Sequence, residues 1–126
     1  MRHVFPAELI ALHDYLLSKY PGVRGMSDTG RAEAIINRVI NRELYEGITD
    51  VYELAATYWV AISRGHIFTD GNKRTALNTT MLFLRRNNVT VYDRDELPDL
   101  TVSAASGTLT VPELAESLRY FYGKQH

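Results

Sequence analysis

An all-α bundle of about six helices is the fold class that the sequence predicts, on three observations. Apolar residues recur at three- and four-residue steps along most of the chain. Stop and start signals, among them Pro21-Gly22, Gly65, Gly107 and the Thr110/Glu113 pair, cut those runs into helix-sized pieces. The one β-like stretch, Val89 to Tyr92, is too short to found a sheet.

The first helix begins at Pro6, a residue that a first turn tolerates. It carries Leu9, Leu12, His13, Leu16 and Tyr20 on one face until Pro21-Gly22 stops it. His13 lies on that apolar face and reads as a satisfied core histidine. A second helix opens after Ser27-Asp28, read as its cap, and aligns Ala32, Ile35, Ile36, Val39 and Ile40. Arg42 to Thr49 reads as a loop. Asp50 and Glu53, at capping-box spacing, open a third helix with Val51, Leu54, Ala55, Tyr58, Trp59 and Ile62 in register. Ala56, Val60 and Ala61 fill most of its other face, so burial on several sides is expected before Gly65 ends it. The fourth helix spans Asn72 to Asn87, with Ala76, Leu77, Met81 and Leu84 inward and Arg85 and Arg86 at its negative end. Leu97, Leu100, Ala104 and Ala105 mark a fifth, closed by Gly107. The capping box of Thr110 and Glu113 starts a sixth through Leu114, Leu118 and Tyr122. No repeat or linker interrupts the pattern, so residues 1–126 are read as a single domain.

Bulk composition removes whole classes of function. At 45% hydrophobic and 23% charged residues the chain suits a folded domain rather than a disordered one. Fourteen Lys and Arg against fifteen Asp and Glu leave a net charge of -1, which argues against direct nucleic-acid binding. The absence of cysteine excludes disulfides, zinc ribbons and thiol nucleophiles. No apolar run approaches the roughly 20 residues of a membrane-spanning helix, and no signal-peptide core is present, so a cytoplasmic location is expected. His3, His13 and His126 show no metal-ligand spacing.

Chemistry concentrates in Arg64-Gly65-His66-Ile67-Phe68-Thr69-Asp70-Gly71-Asn72-Lys73-Arg74, between the third and fourth helices. A turn of Asp-Gly-Asn feeding a helix presents unpaired backbone N–H groups, and Gly71 lets that backbone approach a ligand closely. With the helix dipole, and with Lys73 and Arg74 behind it, this makes an anion site. Arg64 to Arg86 holds five basic residues and one acid, +4 locally, so the rest of the chain carries -5. Such a balance points to a localised phosphate pocket. His66 adds an imidazole able to serve as a general base, and Asp70 a hard oxygen ligand suited to magnesium shared with phosphates. Base, metal ligand and anion nest together suit transfer of a phosphorus centre to a hydroxyl. Taken singly, His66 is a loop histidine capping a helix or bonded in the core, Asp70 an N-cap, and Arg74 a solvated cation. Phe68 reads as a core plug. Arg64 closes the preceding helix, and Asn78 lies one turn beyond Arg74, where it faces the same pocket.

The order His66, Phe68, Asp70, Gly71, Asn72 and Arg74 resembles the signature of the Fic/Doc family, HxFx[DE]GN followed by a variable residue and Arg, without a gap. The stretch Gly25 to Ile36 and the all-helical layout resemble the Doc branch of that family from end to end. The resemblance implies a Fic-type bundle with the active-site loop at the N-terminus of the fourth helix. It implies that His66 deprotonates a target hydroxyl, that Asp70 holds magnesium (Mg2+), and that Phe68 anchors the loop. It further implies that Asn72 and the backbone around Gly71 bind phosphate oxygens, and that Arg74 neutralises the nucleotide's phosphates. Lys73, Arg64 and Asn78 complete the expected nucleotide-contacting set. A flap aligning the target peptide is expected within Arg42 to Thr49.

Two departures choose between the family's chemistries. Members that transfer AMP carry Gly where Lys73 stands and a second Arg where Leu77 stands. Lys-Arg instead resembles the Doc branch, whose members are similar to protein kinases and bind ATP with the γ-phosphate near the histidine. The resemblance therefore implies a toxin kinase that phosphorylates a Ser or Thr hydroxyl, a threonine of translation elongation factor Tu, and so stops translation. It implies a Phd-type antitoxin whose disordered C-terminal segment folds on the toxin, in a groove walled by Leu9 to Tyr20 and the final helix. The alternatives are an AMP-transferase with the opposite nucleotide orientation and a non-catalytic nucleotide-binding module.

Overall fold

The computed structural model describes residues 1–26 and 29–123. Six helices follow in order, as the periodicity predicts: α1 Pro6–Lys19, α2 Thr29–Glu46, α3 Val51–Arg64, α4 Asn72–Arg86, α5 Leu97–Ser106 and α6 Val111–Tyr122. Helix α3 is the central rod, packed by α2, α4, α5 and α6, while α1 lies across α2 and α4. Its residues Leu54 to Trp59 are buried without a break, as expected of a helix apolar on most faces. Two of the polar groups that this rod buries are matched, although the buried Ser63 hydroxyl has no hydrogen-bond partner among the described residues. The Trp59 indole N–H donates to Thr101 Oγ1 at 2.9 Å, and the Tyr58 hydroxyl accepts the Val4 N–H at 3.2 Å. No helix among the described residues is long and apolar enough to cross a membrane. The Val89 to Tyr92 stretch forms no strand.

Four expectations need correction. Arg42 to Thr49 is not all loop, because α2 continues through Glu46. Its extra turn is held by Arg42, whose guanidinium reaches Glu46, Glu53 and Thr57. That contact also removes Glu53 from the expected capping box, so Asp50 caps α3 alone by accepting the Tyr52 N–H at 2.9 Å. The box at Thr110 and Glu113 is complete. The two walls expected for a groove, α1 and α6, are not neighbours, since the helices do not touch. Leu16 of α1 and Tyr20 at its C-cap instead face Val91, Tyr92 and Asp93 and the first residue of α5, Leu97, across a cavity of about 400 Å³ floored by α4. Finally, α4 is capped by Gly71 and not by Asp70. The cap expected at Ser27-Asp28, and His126, lie outside the described residues.

Candidate active site

The junction between α3 and α4 is built on two buried anchors. Ile67 is fully buried and Phe68 is 3% exposed, so the chain dips into the core and re-emerges at Thr69. Asn72 then clamps this dip. Its Oδ1 accepts the Phe68 N–H at 3.1 Å, and its Nδ2 donates to the Phe68 carbonyl at 2.8 Å. Both backbone groups of a buried residue are thereby satisfied, which a tight loop otherwise leaves costly. The expectation that Asn72 binds phosphate by its side chain is accordingly narrowed. The amide holds the loop, and only its second Nδ2 hydrogen and the backbone N–H remain for a ligand.

His13 is the residue whose part in the loop the sequence did not reveal. It is 2% exposed, as a core histidine should be, but its ring stacks on Phe68 with centroids 3.6 Å apart and planes within 3°. Its Nε2 donates to the Asp70 carbonyl at 2.8 Å. A carbonyl only accepts, so this nitrogen carries the hydrogen. Helix α1 thus holds the loop from below at two adjacent points.

The segment after α1 holds the loop from the side. Met26 and Phe68 form an isolated antiparallel bridge, and Thr69 donates its N–H to the Gly25 carbonyl at 2.9 Å. Gly25 has φ of +141°, and a Cβ there would stand 2.6 Å from Thr69 Oγ1, so only glycine fits. β-type pairing within the chain therefore supports the motif from residues 25–26. The Pro21-Gly22 signal marks this segment as a chain reversal but says nothing of its partner.

Asp70 turns both carboxylate oxygens to backbone donors, Oδ2 to the Val23 N–H at 3.2 Å and Oδ1 to the Gly71 N–H at 2.8 Å. These two N–H groups, with Arg74 and Lys73 nearby, hold the Asp70 carboxyl below the usual carboxylate range. It is exposed and ionised at neutral pH. Each oxygen keeps a lone pair, which fits a magnesium ion bound by one carboxylate and completed by phosphate oxygens and water. No group of three His, Cys, Asp or Glu among the described residues gathers to hold a metal by protein ligands alone.

Gly71 has φ of +81° and starts α4 in the left-handed region, where a side chain costs roughly 1–2 kcal/mol. Its cap carries no side-chain acceptor, so the N–H groups of Asn72, Lys73 and Arg74 face outward without an intrahelical partner. They border a pocket of about 370 Å³ lined by Pro21 and Thr69 to Arg74. The Arg74 guanidinium lies over the Tyr20 ring, 4.0 Å from its centroid, which fixes the cation between this pocket and the cavity floored by α4. Asn78 lines that second cavity with Arg74 and Arg85, and it donates to the Arg74 carbonyl at 2.8 Å. Arg86 points elsewhere, forming a two-pronged pair with Glu8.

His66 is exposed, with φ of +50°. Non-glycine residues in this region cost about 1–3 kcal/mol and collect at functional sites. Its carbonyl accepts from Arg31 Nη1 at 3.1 Å, an anchor on α2 that the sequence reading missed. Arg64 is not brought to the phosphate pocket. It lines a separate cavity between α2 and α3, with its guanidinium beside Gly107.

The site thus joins an exposed imidazole, an ionised carboxylate, outward N–H groups and two cations on one supported loop. A model of the Fic/DOC family matches residues 4–84 of the chain. The chain is also 62% identical, over 123 residues, to the protein kinase doc of Escherichia phage P1, and the match spans 98% of each.

Proposed function

This chain belongs to the Fic/DOC family, and on that premise we propose that it is a protein kinase of the Doc type, the toxin of a toxin–antitoxin pair. Its substrates are ATP and a Ser or Thr hydroxyl of a protein, a threonine of elongation factor Tu. The observation that carries this reading is the loop itself, where exposed His66 precedes an anion pocket containing Lys73 and Arg74.

In the proposed reaction the His66 imidazole takes the hydroxyl proton as the oxygen attacks the γ-phosphorus. The bond from that phosphorus to the β–γ bridging oxygen breaks, and ADP leaves. The outward N–H groups of residues 72–74, with Lys73 and Arg74, meet the charge on the phosphates. Asp70 is the residue that would hold magnesium, which when bound neutralises phosphate charge. Lys73 and Leu77 favour the kinase over an AMP-transferase, because a side chain stands where that chemistry has none and a second guanidinium is missing. Asn78 and Arg85, in the cavity that Arg74 borders, are proposed to contact the rest of the nucleotide; Arg64 is too far along the chain's other face to belong to that cavity's lining. Action in the cytoplasm and silencing by a Phd-type antitoxin segment complete the reading.

The test is the intact mass of elongation factor Tu after incubation with the protein, ATP and magnesium. Gain of one phosphoryl group supports the proposal. Gain of an adenylyl group replaces the kinase by the transferase, and an unchanged mass removes this target.

A further inference from the structure

A second basic concavity adjoins the loop and has no part in the reaction described above. It measures about 420 Å³ and lies between α2 and α3, with Arg31, Arg38 and Arg64 around a floor of Ile35, Val60 and Ala61. It shares no lining residue with the phosphate pocket or with the cavity bordered by Arg74. No acidic side chain lines it. Arg42, Arg86, Arg94 and Arg119 each pair with a carboxylate, whereas Arg38 and Arg64 form no ion pair among the described residues. A guanidinium without a carboxylate partner, that of Arg38, on a chain of net charge -1 marks a place where an outside anion is favoured. Arg31 links this place to the reaction centre through its bond to the His66 carbonyl.

We propose that the α2–α3 cavity docks an acidic, partly apolar segment of the protein substrate, next to the hydroxyl that His66 serves. The inference rests on the kinase reading only in taking a protein as the substrate. Three features select a peptide over a phosphate or a nucleic acid. Helix α3 ends at Arg64, so the nearby backbone offers carbonyls of its negative end rather than the N–H groups that cradle phosphate. The apolar floor gives a compact inorganic anion nothing to bury, but suits side chains lying between carboxylates. No aromatic ring lines the cavity to stack a base. Arg38 then acts as a rim cation that sets which protein is accepted and how fast it arrives.

The experiment measures binding of a short fluorescent peptide of alternating Glu and Leu, free of hydroxyl residues, to the full chain. The same peptide with Lys for Glu, an oligothymidylate of equal charge and ATP are measured alongside. The Glu-Leu peptide is expected to bind and the Lys-Leu peptide not to, with affinity falling as salt rises. Arg38→Glu is expected to weaken the Glu-Leu peptide by about tenfold or more, and Arg38→Lys by much less, with melting temperature and ATP affinity unchanged. The proposal is overturned if the Glu-Leu peptide fails to bind, if Arg38→Glu leaves its binding intact, or if that substitution lowers ATP affinity instead. Oligothymidylate binding that equals the peptide's and is lost in Arg38→Glu also overturns it, in favour of a nucleic-acid site. Absence of phosphoryl transfer to any protein of a cell extract supplied with ATP and magnesium, with peptide binding intact, contradicts the kinase reading alone.

Discussion

Replacing His13 is expected to loosen the catalytic loop and the core together. In His13→Ala the lost volume of a buried ring costs on the scale of other large-to-small changes, about 2–5 kcal/mol. Within that loss lie a ring stack on Phe68 worth ~0.5–1.5 kcal/mol and a hydrogen bond to the Asp70 carbonyl of similar size. The contributions overlap, and a total near 3 kcal/mol lowers the melting temperature by roughly 10 °C for a chain of this length. His13→Phe separates the parts, since it keeps a buried ring on Phe68 and deletes only the donor. It is expected to cost about 1 kcal/mol in stability. The freed Asp70–Gly71 peptide is expected to slow phosphoryl transfer by about fivefold, the same energy read as a rate. His13→Gln, whose amide supplies a donor without the stack, recovers rate better than stability. Thermal unfolding by circular dichroism, run beside initial rates well below the transition, gives both readings. A His13→Phe protein that melts and turns over like the wild type refutes the claim that this hydrogen bond holds the loop.

Other perturbations address separate parts of the account. His66→Ala is expected to keep the fold, because the side chain is exposed, and to lower transfer by about 10²–10⁴-fold; full activity of the folded variant removes His66 from the mechanism. Gly25→Ala places a methyl group against Thr69 at a positive φ, so residues 23–26 are expected to part from the loop, seen as faster amide exchange at Thr69 with α3 unaffected. Glu8 is held below its ordinary range, chiefly by the Arg86 guanidinium, so its contribution is present above the unfolded carboxylate value and fades as pH falls through the folded one. Glu8→Gln is therefore expected to lower stability at neutral pH by under ~1 kcal/mol and to flatten its acid limb, and an acid limb identical to wild type in urea titrations counts against the pairing.

The sequence made the helices legible because each buries one face against its neighbours, and that requirement writes itself as a three-to-four-residue period. Helix α3 was readable as central for the same reason, since Ala56, Val60 and Ala61 leave it no polar side. The motif His66 to Arg74 was readable because it is local, with every member within nine positions. What supports that order was not. His13 and Asp70 are 57 positions apart and join through a carbonyl, which every residue possesses and no pattern marks. Val23 and Gly25 likewise act through backbone groups, which no side-chain pattern marks. The Asn72 side chain was assigned to ligand because its bonds to Phe68 exist only once Phe68 is buried. Arg64 looked like part of the phosphate site by proximity in sequence, but the last turn of α3 carries it to the cavity facing α2.

The most direct test supplies ATP labelled in turn on the γ- and the α-phosphate, with magnesium and elongation factor Tu, to the wild type and to His66→Ala. An anion pocket behind a histidine base, with Lys73 at its mouth, predicts that only the γ-label enters the target and that His66→Ala all but abolishes it. Entry of the α-label, or undiminished γ-label with a folded His66→Ala protein, contradicts the account.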